Sequence, residues 1–128
     1  MIFKLKVSKQ TDEIFKTLDQ RTSLKPYTLV KHAIAWSVRE SHPLTEDDFA
    51  TDSQGQELNR QTITGNFDAY FKAIIEQYEQ RQLTEDEYFP RYVKAHIDRG
   101  ALVLNAMFKH AGSLDRYILQ SIGVGDTV

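Results

Sequence analysis

From Phe3 the chain alternates, with Phe3, Leu5 and Val7 apolar against Lys4, Lys6 and Ser8 polar. A period of two predicts a strand with one apolar face and one basic face. A strand this short needs a partner. No comparable alternation follows nearby, so the pattern predicts pairing with a second copy of the chain, or docking on the chain's own helices. The period then lengthens. Ile14, Phe15 and Leu18 make the stripe of a first helix, capped at Ser8 or Thr11, with Asp12 and Glu13 at the positive end of its dipole. A turn over 21–25 leads to Pro26, where a first-turn proline costs no hydrogen bond. A second helix runs to about Arg39. Tyr27, Val30, Ile34 and Val38 line one face, and Leu29, Ala33 and Trp36 widen it. A helix so broadly apolar is buried on more than one side.

The segment from Glu40 to Gln61 is irregular, with Thr45 positioned to cap a short turn through Phe49. Residues 57–64 read as extended, and Gly65 breaks the pattern. A third helix from about Asn66 carries Phe67, Tyr70, Phe71, Ile74, Ile75 and Tyr78 at helical spacing. Thr84 and Glu87 have capping-box spacing, and Pro90 lies deep enough beyond them to break or kink the helix. The stripe resumes through Val93, Ile97, Leu104, Met107 and Phe108, with Gly100 on it, where a glycine permits close approach of another helix. Gly112-Ser113 ends this helix and starts a short one over 114–120. The expected core is Phe15, Leu18, Val30, Ile34, Ile74, Val93, Ile97 and Leu104. The expected fold is mainly α: an N-terminal strand, then four to five helices, with a ribbon–helix–helix-like N-terminal half. One domain is expected over 1–128, made of a basic half (1–40), a long loop (41–65), a helical half (66–120) and a frayed tail (121–128).

Charge divides the chain unevenly. Residues 1–40 hold eight Lys/Arg against four Asp/Glu, a net +4, and the remainder holds eight against fourteen, a net −6, which together give the overall −2. A basic face on an acidic body suits a polyanion at one end. The 128 residues include no cysteine, which excludes disulfides and thiolate metal sites. Lys4 and Lys6 interrupt any secretory leader, and no run has the length of a membrane span. The expectation is a cytoplasmic protein with no membrane contact.

Candidate chemistry is sparse. The four histidines, at 32, 42, 96 and 110, lack close metal-ligand spacing, and His96, on an apolar face, reads as a core histidine. Glu46, Asp47 and Asp48 do not match an EF-hand loop and read as a solvated acidic segment. No nucleophile elbow and no phosphate-binding glycine loop is present. Arg60 and Arg99 read as structural, paired with carboxylates such as Asp68 or Asp98. No catalytic residue, metal or cofactor is expected.

Three stretches carry a resemblance. They are Leu18-Asp19-Gln20-Arg21-Thr22-Ser23-Leu24-Lys25-Pro26 running into Val30-Lys31-His32-Ala33-Ile34-Ala35, then 55–65 (GQELNRQTITG) with the aromatic helix after it, and Ala95-His96-Ile97-Asp98-Arg99-Gly100. In order and spacing the chain resembles the DndE family of bacterial DNA phosphorothioation (sulfur-modification) proteins. The tail after Gly112 lies outside the resemblance. The likeness implies a non-enzymatic, homotetrameric subunit that binds double-stranded DNA, favours nicked duplex and works with other sulfur-modification proteins. It also leads one to expect glycine where this chain has Ser23, and often asparagine where it has Tyr27.

The residues themselves point toward DNA through Lys4, Lys6, Lys9, Lys16, Lys25 and Lys31. In a ribbon–helix–helix arrangement Lys4, Lys6 and Ser8 face a groove; otherwise the lysines track phosphates without reading sequence. The second reading is therefore a ribbon–helix–helix transcription regulator. The third is a metal-dependent DNA nickase using the acidic loop.

Overall fold

The computed structural model describes residues 2–121. Strand β1 (Lys4–Lys6) pairs antiparallel with β2 (Glu57–Asn59), with Leu5 opposite Leu58. The strand's partner thus lies within the chain, not in a second copy or on a helix. Leu5 and Leu58 are both buried, so the pairing covers the apolar face that β1 needed to hide. The pairing extends past the strands. Arg60 N–H donates to the Phe3 carbonyl at 2.6 Å, Val7 N–H to Gln56 at 3.2 Å, and Gly55 N–H to Val7 at 2.8 Å. A side chain at Gly55 would sit 2.7 Å from the Val7 carbonyl oxygen, so only glycine allows this approach. The extended run is shorter than the sequence predicts. Asn59 accepts the Thr62 N–H at 2.8 Å and starts the single turn α4 (Arg60–Ile63).

Helix α1 (Lys9–Thr22) is capped by Ser8, whose hydroxyl accepts the Thr11 N–H. That role buries Ser8, so it does not share the outer strand face with Lys4 and Lys6. The helix ends at Ser23 in the left-handed region (φ +64), the conformation glycine adopts most easily, and its N–H bonds to Asp19 O at 2.8 Å. Helix α2 (Pro26–Ser37) starts on its proline. The turn α3 (Glu46–Phe49) is closed by the Thr45–Asp48 capping box. A 3₁₀ turn (Gly65–Phe67) leads into α5 (Asp68–Glu79). The Thr84–Glu87 capping box opens α6 (Glu85–Glu87). The run continues through a π-helical turn around Pro90 (Tyr88–Val93) into α7 (Lys94–Ala111). The expected break at the proline is a widened turn, which accommodates the missing N–H without ending the helix. After Gly112 (φ +78) comes α8 (Leu114–Ser121). The remainder of the expected tail, 122–128, lies outside the described residues.

Helices α2 and α7 form the centre. Gly100 faces Ala33 so closely that a Cβ there would lie 2.8 Å from the Ala33 Cα and closer still to its carbonyl. Phe15, Leu18, Val30, Ile34, Val93, Ile97 and Leu104 are buried as expected. Ile74 is not: it is 46% exposed, and Ile75 is the fully buried residue of α5. Adjacent helical positions point about 100° apart, and the docking of α5 turns Phe71 and Ile75 inward, leaving Phe67, Tyr70 and Ile74 outside. Tyr27, in the first turn of α2, is also exposed rather than part of the apolar face that Val30 and Ile34 bury.

Candidate nucleic-acid interface

The candidate lysines lie along β1, α1 and the start of α2. Lys4 and Lys6 project from the outer face of β1. Glu57 is opposite Lys6 in register, but its Oε2 lies 3.9 Å from Lys4 Nζ and so pairs with Lys4. Lys9 opens α1 and Lys16 follows two turns on, where Asp12 lies 3.1 Å from its Nζ. Lys25, in the α1–α2 turn, is 3.2 Å from Asp19. Lys31 is turned onto α4 and donates to the carbonyls of Tyr27 (2.9 Å) and Thr62 (2.8 Å); partial burial lowers its pKa. Among the described residues, Lys6 and Lys9 make no ion pair. Asp52 also lies at the start of α1, where it accepts the backbone N–H groups of Lys9 and Gln54, which depress its pKa. Arg21, also exposed, stands one turn before Lys25 at the other end of α1.

Buried polar residues fix this strand–helix unit to the body. Asp98 on α7 accepts from Ser8 N–H (3.1 Å), Thr11 Oγ1 (2.7 Å), Thr51 Oγ1 (2.5 Å) and Lys94 Nζ (2.7 Å). It therefore holds the β1–α1 junction from which Lys6 and Lys9 emerge. The Lys94–Asp98 i,i+4 spacing is the one sequence signal that marks this pair. At the other end of β1, Arg60 binds Asp68 through two bonds (3.0 and 2.7 Å), reaches Glu85 and donates to the Ile2 carbonyl at 3.1 Å. Burial works against the Arg60 charge, and the two carboxylates outweigh it, leaving its pKa raised. The expected Arg60–Asp68 pair is present.

Arg99 differs from expectation. It donates to Ser37 Oγ (2.9 Å), the carbonyls of Ser37 (2.6 Å) and His42 (3.0 Å), and Tyr78 Oη (2.8 Å), not to Asp98. It clamps the end of α2 and the chain after it, because Asp98 points to the opposite side of α7, toward α1. His96 is a core residue, as expected. Its Nδ1 is 2.7 Å from Ser37 Oγ. Ser37 Oγ accepts the Arg99 Nε–H, and His96 Nε2 lies 3.3 Å from Glu79 Oε1 without the alignment of a hydrogen bond. Burial, with Arg99 nearby, pushes the His96 pKa down to about 3.

The acidic run 46–48 is spent on local structure: Asp48 accepts the Thr45 N–H at 2.8 Å. Among the described residues no group of three metal-ligating side chains converges, and no helix is long and apolar enough to cross a membrane.

Fold and site together define a small, mainly helical protein with a lysine-bearing strand–helix edge braced by buried ion pairs. A family model described as DNA sulphur modification protein DndE matches residues 4–112, and the chain belongs to that family. The crystal structure of DndE from Escherichia coli B7A, described as involved in DNA phosphorothioation modification, shares the fold (TM-score 0.63, 19% identity, 79% of this chain and 97% of that one). So does a glycine-to-lysine mutant of DndE involved in DNA phosphorothioation (TM-score 0.62, 18% identity, 83% and 99%). No curated protein matches the sequence significantly.

Proposed function

We propose that this protein is a non-catalytic DNA-binding subunit of a bacterial DNA phosphorothioation system. It engages duplex DNA in the cytoplasm through the basic edge of β1 and α1, and acts beside other sulfur-modification proteins. The observation that carries the reading is the series Lys4, Lys6, Lys9 and Lys16 along one strand–helix unit, in which the Lys6 and Lys9 side chains make no ion pair among the described residues. Lys25 extends the series into the α1–α2 turn. Lys31 contributes a weaker field, since its ammonium is occupied by carbonyls. The overall charge of −2 means that attraction to DNA depends on this local concentration.

Assembly into a closed homotetramer multiplies the edge. The outer face of α5 and of the 3₁₀ turn before it, with Phe67, Tyr70 and Ile74 exposed, supports a self-complementary contact. The two-chain ribbon of a regulator loses its support, because β1 is paired to β2. Binding is tested on random, operator-like and nicked duplexes with Lys4/Lys6 and Lys16/Lys25 double alanines. The accessory reading expects both to weaken all duplexes alike, with nicked duplex bound more tightly than intact. A preference for one sequence that Lys4/Lys6 loss relaxes would favour the regulator instead.

A further inference from the structure

The segment from α3 to β2 runs back along the basic edge and brings two carboxylates to it. It is tied down along its length. Thr51 Oγ1 donates to Asp98, and the Lys94 ammonium donates to Thr51 Oγ1 (2.8 Å) and to the Asp52 carbonyl (2.8 Å). Gly55 N–H donates to the Val7 carbonyl at 2.8 Å. Asp52 is thereby fixed at the first residue of α1, and Glu57 beside β1.

The loop uses only part of what Asp52 supplies. The N–H groups of Lys9 (2.9 Å) and Gln54 (3.0 Å) both end on one oxygen, Oδ1. Among the described residues Oδ2 makes no hydrogen bond and no ion pair, and the residue is exposed. An asparagine would offer the same accepting oxygen to both donors. The negative charge is therefore surplus to the local hydrogen bonding. Lys94, whose charge also favours the ionised form, is already paired with Asp98.

Glu57 repeats the pattern on β2. Its carboxylate meets Lys4 in an exposed pair, a contact weak enough to open when a phosphate competes for the ammonium. Each lysine without an ion pair thus has a carboxylate at its backbone: Glu57 opposite Lys6 in register, and Asp52 on the Lys9 N–H.

We propose that Asp52 and Glu57 set the DNA affinity of the β1–α1 edge as built-in competitors of phosphate, Glu57 by holding Lys4 and Asp52 by opposing a phosphate at Lys9. This rests on the DNA-binding reading above and adds two residues that lower affinity, so that a single edge releases intact duplex.

The test measures duplex affinity across a salt series for wild type, Asp52→Asn, Glu57→Gln and both together. Each neutral variant should bind about two- to fourfold more tightly at low salt for each edge in contact, the effect of one unit charge acting through solvent over about 5–10 Å. The gain from Asp52→Asn should fade at high salt through screening. Glu57→Gln should also steepen the salt slope by about one unit per edge, since Lys4 is then free to meet a phosphate. Asn and Gln keep an accepting oxygen, so the melting temperature should not change. If Asp52→Asn does not fold, Asp52→Ser, whose hydroxyl can also accept the Lys9 N–H, takes its place. Asp115→Asn on α8 makes the same change in net charge and should leave affinity nearly unaltered; a gain as large as that of Asp52→Asn overturns the proposal, because overall charge would then account for it. A Lys6/Lys9 double alanine in the same series separates the two readings. If it weakens binding while neither neutral variant binds more tightly, the proposal falls and the DNA reading stands. If it also leaves affinity unchanged, both fall.

Discussion

Replacing Gly100 by alanine tests the central packing of the fold. The added Cβ would lie 2.8 Å from the Ala33 Cα and closer to the Ala33 carbonyl, both of them backbone atoms that cannot swing away. Restoring ordinary contact with the carbonyl requires α2 and α7 to separate by more than about 1 Å, a gap that forfeits at least a quarter to a half of the dispersion energy at the seam. Leu29, Val30, Ile34, Ile97, Leu104 and Phe108 are all buried in the core that these two helices centre. At about 2 kcal/mol each, losing about a quarter over these residues is about 3 kcal/mol. Alanine's better helix propensity returns about 1 kcal/mol, leaving at least about 2 kcal/mol of net destabilisation, in line with overpacked cores. Urea unfolding followed by Trp36 emission measures the change. A midpoint equal to or above wild type would refute the close α2–α7 approach, because propensity alone would then decide the outcome.

His96 makes the protein acid-sensitive. Burial depresses its folded pKa to about 3, so between about 6.5 and 3 the unfolded chain binds the proton that the folded chain refuses, and stability falls as pH falls. The slope is about 1.4 kcal/mol per pH unit for one proton, or about 2 kcal/mol between pH 6.5 and 5. Glu79, whose pKa burial raises, works the other way in the carboxylate range. Urea midpoints of wild type and His96→Gln over this window should show the slope only in wild type. For the assembly, Tyr70→Lys with Ile74→Lys should reduce the mass seen by light scattering without lowering the melting temperature, since both side chains are already exposed; an unchanged mass would place the contact elsewhere.

Local chemistry made much of the fold legible. Ser8, Pro26, Thr45, Thr84 and Gly112 each act on their own turn, and each does what its residue type and spacing predict, while Pro90 widens its turn without breaking the helix. Long-range choices were not legible. The partner of β1 is a three-residue strand with one apolar side chain, Leu58, too short to carry an alternation signal. The choice between Ile74 and Ile75 depends on the rotation of α5, which its docking sets. Arg99 selects Ser37, His42 and Tyr78 over its neighbour Asp98 because consecutive residues leave α7 in different directions. The excess of positive charge in 1–40 was readable. That Lys31 is turned onto α4, while Lys6 and Lys9 are not paired with an acid, depends on the folded arrangement.

The most direct test of the DNA-binding account is the salt dependence of duplex affinity for wild type and a Lys6/Lys9 double alanine. The account predicts a linear fall of log affinity with log salt for wild type. In the variant the slope should be shallower by about two units for each copy that touches DNA, equally on random and nicked duplexes. Both side chains are exposed, so the melting temperature should not change. An unchanged slope and affinity in the folded double variant would contradict the assignment of the DNA surface to the β1–α1 edge.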